Sequence, residues 1–158
     1  MKKNKDEINT TGYIEGYYGK LLSWENRKLI INSLQKNNMN TYFYAPKEDN
    51  YHRLNWRKKY DLSWQKNFRN FTKFSKTNNI DVIAGIAPGL DFDFKNFNNK
   101  TKNKNSTDYT LLYNKSKQLL NDGANSIALL LDDIPEDFKN KFGNKISEGT
   151  SHGILANM

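Results

Sequence analysis

The chain has 158 residues, 25 Lys plus Arg against 17 Asp plus Glu, and a formal net charge of +8, the size of one domain with a sizeable core. Aromatic residues at 13% exclude a disordered chain despite a mean hydropathy of −0.91, because disordered segments lack that apolar payload. The absence of cysteine excludes disulfides, Cys-ligated zinc and thiol nucleophiles, and two histidines, His52 and His152, make a His-rich metal site a poor expectation.

In chain order, residues 1–11 form a polar, basic leader with no apolar segment behind it. No signal peptide or membrane span is visible, so the sequence as written suggests a cytoplasmic chain, with secretion of a parent enzyme left open. Gly12–Tyr18 predicts a short strand closing in glycine-punctuated backbone. Ser23 is a candidate N-cap for a helix carrying Trp24, Ile30, Ile31 and Leu34, stopped near Asn37 and Asn38. Thr41–Pro46 predicts a second strand. Ser63 is the candidate cap of a second helix, whose Trp64, Phe68, Phe71 and Phe74 make one apolar stripe, read as core.

The alternation continues. Asp81–Pro88 predicts a third strand. Tyr109, Leu112, Tyr113, Ser116, Leu119 and Leu120 predict a third helix stopped by Gly123. Ser126–Leu131 predicts a fourth strand, continuously apolar as buried parallel strands are, and a further helix opens near Ser151. Strand and helix alternate about four times, which predicts an α/β protein with a parallel sheet. The segments after the strands are long and chemically loaded, whereas the helix-to-strand links are short. That asymmetry matches the active face of a (β/α) barrel. The first loop has no G-x-G-x-x-G fingerprint, so no dinucleotide is expected.

The net charge admits nucleic-acid binding through phosphate neutralisation. The lysines are scattered and accompanied by many Asn, which fits a compositional bias better.

At the end of the fourth strand stand Asp132 and Asp133. Two carboxylates directly after an apolar strand either cap the next turn or carry chemistry. Adjacent like charges push their pKa values apart, so one can stay protonated while the other ionises. Lys47 after Pro46 would be ordinary alone. His52 and Arg53 read as loop-stabilising residues.

Four stretches carry a resemblance: Gly12–Gly19, Asn40–Asp49 with Tyr51–Arg53, Ala87–Asp91, and Ser126–Ile134. In order and at strand ends, they resemble the catalytic domain of glycoside hydrolase family 84, the β-N-acetylglucosaminidases, which include O-GlcNAcases and hyaluronidase-like bacterial enzymes. The resemblance implies a (β/α)8 TIM-type barrel, retaining hydrolysis of terminal N-acetylglucosamine in a glycan or glycoconjugate, and no cofactor. By position, it implies that Asp132 orients the 2-acetamido group and that Asp133 is general acid/base. Lys47 and the backbone of Gly16 would hold sugar hydroxyls, with Tyr18 near the same pocket.

An eight-stranded barrel needs about 250 residues, so residues 12–158 are expected to be the N-terminal half of such a barrel. Three explanations stand: a piece of a longer or interrupted gene product, an inactive or sugar-binding remnant, or a barrel completed by a second chain.

Overall fold

The computed structural model describes residues 10–94, 107–132, 138 and 147–157. Its elements are β1 (Gly12–Glu15), α1 (Trp24–Lys36), β2 (Thr41–Tyr44), α2 (Leu62–Thr77), β3 (Asp81–Ile86), α3 (Thr107–Asn121), β4 (Ser126–Leu129) and α4 (Glu148–Ala156). The four strands form one parallel sheet in the order β1-β2-β3-β4. Each strand joins the edge left by its predecessor. With right-handed crossovers, stepwise addition in one direction puts every connecting helix on the same face.

That face is the core. Tyr42, Tyr44, Val82, Ala84 and Ile86 are buried there with Ile31, Leu34, Phe68 and Phe71. The opposite face is more open: Phe43 and Ile83 are half-buried, and Ile14 on β1 is 62% exposed. A doubly wound sheet would cover both faces, as its crossovers reverse direction midway.

Local signals set the boundaries. Ser23 Oγ accepts from Asn26 N–H at 3.1 Å, and Asn38, at φ 54°, takes the left-handed stop. The α2 cap is Asp61, not Ser63: its carboxylate accepts from Trp64 N–H at 2.8 Å, and the helix starts at Leu62. A carboxylate also complements the positive helix end. Gly123 has φ 101°, and a Cβ there would come 2.4 Å from Thr72 Oγ1, so the third helix stops where expected. The last helix starts at Glu148, capped by Ser147, ahead of the expected Ser151.

Two expectations about interior positions are corrected. On α3 the buried residues are Asp108, Leu112, Lys115 and Leu119, while Tyr113 and Leu120 face out at 55% and 44% exposure. The apolar stripe is narrower than the sequence suggests, and two charged residues with partners across the fold fill its remaining positions. β4, expected to be fully buried, has only half-buried or exposed residues, because among the described residues it has one neighbour, β3, and lies at the sheet edge. Its ladder ends at Leu129, with Leu130 N–H still reaching Ile86 O at 2.9 Å. Leu131 is the expected last laddered residue, but β3 itself ends at Ile86, and the register carries Leu131 opposite Pro88, which has no N–H to give.

Candidate active site at the C-terminal ends of the strands

Gly16 directly follows β1, Lys47 lies just beyond β2, and Asp132 lies just beyond β4. The fold joins two of these across 85 residues of sequence: Lys47 Nζ donates to Asp132 Oδ2 at 2.6 Å. The Lys47 side chain is 14% exposed and that of Asp132 51%, so the pair has one wall of protein and one open side. The hydrogen bond from Lys47 outweighs partial burial and holds the Asp132 carboxyl below its ordinary range. Asp132 is therefore an anion throughout the neutral range. Gly16 is half-buried, and Tyr18, in the same loop, is 64% exposed. Gly19 N–H reaches Glu48 Oε1 at 3.5 Å, which ties that loop to the Lys47 turn. Asp133 lies outside the described residues.

Four buried charged residues, Asp49, Glu15, Arg27 and Lys115, support this rim, and the sequence reading missed their roles. Asp49 Oδ2 accepts from Tyr44 OH at 2.6 Å and from Tyr60 OH at 2.9 Å, while its Oδ1 accepts from Tyr51 N–H at 2.8 Å. Burial first, then the Asp49 charge, pushes the Tyr44 phenol up. This cluster locks the turn that follows Lys47.

Behind Gly16, Glu15 accepts from Arg27 Nε at 2.9 Å, from Arg27 Nη2 at 2.7 Å and from Tyr42 OH at 2.6 Å. Arg27 also lies over the Trp24 ring, 4.6 Å from its centroid. Burial disfavours the guanidinium charge, and the hydrogen bonds it donates to Glu15 more than restore it.

Lys115 of α3 donates to Lys58 O at 2.5 Å and stands 3.6 Å from the centroid of Tyr60. Two of the four, Arg27 and Lys115, share a signal in sequence, a charge at an apolar stripe position: Arg27 between Trp24 and Ile31, Lys115 between Leu112 and Leu119. A charge there either breaks the helix face or has a partner elsewhere in the core.

Burial pushes the Lys115 ammonium down to about 7, with Asp49 opposing. The unfolded chain then binds more protons than the folded one between pH 7 and about 10.5. Stability should rise with pH across that window, and Lys115→Met should flatten the rise. Urea unfolding midpoints at several pH values would check this, and an unchanged slope in the variant would contradict it.

Arg57 clamps the far side. It donates to both carboxylate oxygens of Asp108, at 2.7 and 2.6 Å, and to Asp91 Oδ2 at 2.5 Å. This pins the loop after β3 to the start of α3. Among the described residues, no three His, Asp or Glu side chains converge as a metal ion would require, and no helix is long and apolar enough to cross a membrane.

Comparison with known proteins agrees with this architecture. The family model for beta-N-acetylglucosaminidase matches residues 11–157. The rat and mouse proteins named Protein O-GlcNAcase are each 36% identical over 123 residues, which is 78% of this chain and 12% of theirs. A solved structure described as CpGH84B superposes with a TM-score of 0.72 at 32% identity, covering 90% of this chain and 26% of that one. A mutant of the Thermobaculum terrenum O-GlcNAc hydrolase superposes with a TM-score of 0.77 at 27% identity, covering 94% and 31%. The chain thus spans a minor part of each relative, and its four βα units correspond to part of their TIM-type barrel. On the extent of the family match and on these relatives, the chain belongs to the beta-N-acetylglucosaminidase family, glycoside hydrolase family 84.

Proposed function

We propose that residues 12–158 supply the N-terminal half of a (β/α)8 barrel that hydrolyses terminal β-N-acetylglucosaminides with retention, by substrate assistance. The carrying observation is the 2.6 Å bond from Lys47 to Asp132 at the loaded ends of the strands. The names of the relatives, O-GlcNAcase and O-GlcNAc hydrolase, support an O-linked N-acetylglucosamine conjugate as the substrate class.

In this reading the acetamide oxygen of the sugar attacks the anomeric carbon. The bond to the leaving oxygen breaks as Asp133 protonates it. Asp132, kept anionic by Lys47, accepts the acetamide N–H and balances the positive charge that develops on the oxazoline ring. Water then adds at the anomeric carbon with Asp133 as base, and the two inversions leave configuration retained. Lys47 and the Gly16 backbone hold sugar hydroxyls, and Tyr18 borders the same subsite. The second half of the barrel comes from another stretch of polypeptide or from a second chain.

The alternative is a sugar-binding remnant without turnover; Ile14, 62% exposed on the sheet face opposite the helices, is what both readings expect of half a barrel. The two readings separate in a polypeptide carrying the complete barrel. It should release 4-nitrophenol from the N-acetyl-β-glucosaminide and scarcely from the β-glucoside, which has no acetamide to attack. Equal rates on both would overturn substrate assistance, and binding of N-acetylglucosamine with no release would favour the remnant.

A further inference from the structure

β2 and β3 pair in a fixed parallel register, Thr41 with Asp81 through Tyr44 with Ala84, and Asp81 N–H donates to Asn40 O at 2.8 Å. In a parallel ladder each bonded residue engages the two residues flanking its partner. Carried forward, this register assigns Gly85 O to the amide of residue 46 and Ala87 N–H to its carbonyl. Residue 46 is proline, which has no N–H to give.

His52 takes both places. Its ring Nδ1 lies 2.8 Å from Gly85 O, and its carbonyl accepts from Ala87 N–H at 2.9 Å. One residue of the loop after β2 thus replaces the missing end of the strand. Gly85 leaves room for this, since a Cβ there would lie 3.1 Å from His52 Cε1 and 2.9 Å from Ala45 Cβ.

The ring chemistry follows from the geometry. Gly85 O can only accept, so Nδ1 carries the proton and Nε2 is a bare acceptor. Nε2 is buried and has no hydrogen-bond partner among the described residues. Burial lowers the His52 pKa. The bond to Gly85 O and the charges of Asp49 and Asp132 raise it, and that of Lys47 lowers it. The ring therefore stands within the field of the Lys47–Asp132 pair as a neutral group. Its own turn is closed by His52 N–H donating to Asp49 O at 3.0 Å.

We propose that His52 is a positioning residue: it substitutes for β2 beyond Pro46, holds the 46–52 turn on the end of β3, and thereby sets Lys47 against Asp132. Its functional meaning rests on the reading of those two as site groups, but the positioning itself can be tested without catalysis.

The test is carboxyl-carbon NMR titration of Asp132 in the 158-residue chain, with the His52 ring nitrogens observed in the same sample. Wild-type Asp132 should titrate below its ordinary 3.8, and His52 should show the neutral form protonated at Nδ1. His52→Asn, whose amide NH2 can stand where Nδ1 stood, should keep the lowered Asp132 midpoint. His52→Gln, whose amide falls at the Nε2 position, should let it rise toward 3.8. Gly85→Ala, which pushes the ring away, should do the same as Gln. Asp132 midpoints equal to wild type in both His52→Gln and Gly85→Ala would overturn the proposal. So would an imidazole protonated at Nε2, or one with the shifts of an unfolded chain. A hydrolysis-incompetent complete barrel with these shifts intact would sink the hydrolase reading and leave the positioning role standing.

Discussion

Asp133→Asn in a polypeptide carrying the complete barrel should slow hydrolysis by about 10²–10⁴-fold, the range that general acid–base groups contribute. The loss should depend on the leaving group. A poor leaving group, such as the alkoxide of a serine side chain, needs its proton as the bond breaks, so its glycoside should suffer most. An activated phenol departs with little help, so its glycoside should lose less in the first step and be limited by the second, where the same carboxylate deprotonates water.

Asp132→Asn should behave differently. Asp132 is assigned to the acetamide, and Lys47, 2.6 Å away, keeps it ionised. Its removal weakens the attack of the acetamide oxygen on every substrate, so the rate should fall by a similar factor whatever the leaving group. Steady-state rates on a short series of aryl and alkyl glycosides would separate the two. A leaving-group-independent loss in Asp133→Asn, or a leaving-group-dependent one in Asp132→Asn, would reverse the roles. Wild-type rates in Asp133→Asn would remove it from the chemistry.

The order of the elements was legible because it rests on signals only a few residues long. Ser23 before Trp24 is a cap followed by an amphipathic run, and it caps as expected. Phe68 and Phe71 lie at helical spacing, and both are fully buried. What was not legible lies in contacts between distant elements. Nothing near Asp61 and Ser63 decides which of them caps; the observed bond goes to the carboxylate that has the free N–H of Trp64 in reach.

Likewise the half-buried state of β4 follows from its having one neighbour among the described residues, which the apolar run Ile127–Leu131 cannot disclose. The role of His52 as loop stabiliser was visible only as a type; that it completes the ladder needs the register of β2 against β3 and the proline at 46. The family resemblance implied that Lys47 and Asp132 serve one sugar pocket but not that they bond to each other, whereas Glu15 and Asp49 were hidden, because a charged side chain in a polar sequence looks solvated until its partner is known.

The Glu15–Arg27 pair should be the most sensitive point of the fold. Both side chains are almost wholly buried, at 1% and 4% exposure; Glu15 stands at the end of β1, one residue before Gly16, and Arg27 reaches it from α1. Removing one partner leaves an uncompensated charge in the core, which costs about 3–5 kcal/mol, a large share of the ~5–15 kcal/mol that holds a domain folded. Glu15→Ala should reach that range, because it strips the acceptor from Arg27 and from Tyr42 OH together. Arg27→Met should cost less, since Tyr42 OH still donates to the carboxylate. Glu15→Gln combined with Arg27→Met should cost less than Glu15→Gln and Arg27→Met added, because a neutral amide that can still accept from Tyr42 OH, beside an apolar side chain of similar volume, avoids the burial of charge. Urea midpoints with unchanged m-values would read these differences as stability. A Glu15→Ala cost within about 1 kcal/mol, the worth of an exposed ion pair, would mean that water reaches the pair and that it does not anchor the strand leading into Gly16. Strict additivity in the double variant would mean that the two charges stabilise the fold through other neighbours, Trp24 and Tyr44 for the guanidinium and Tyr42 for the carboxylate.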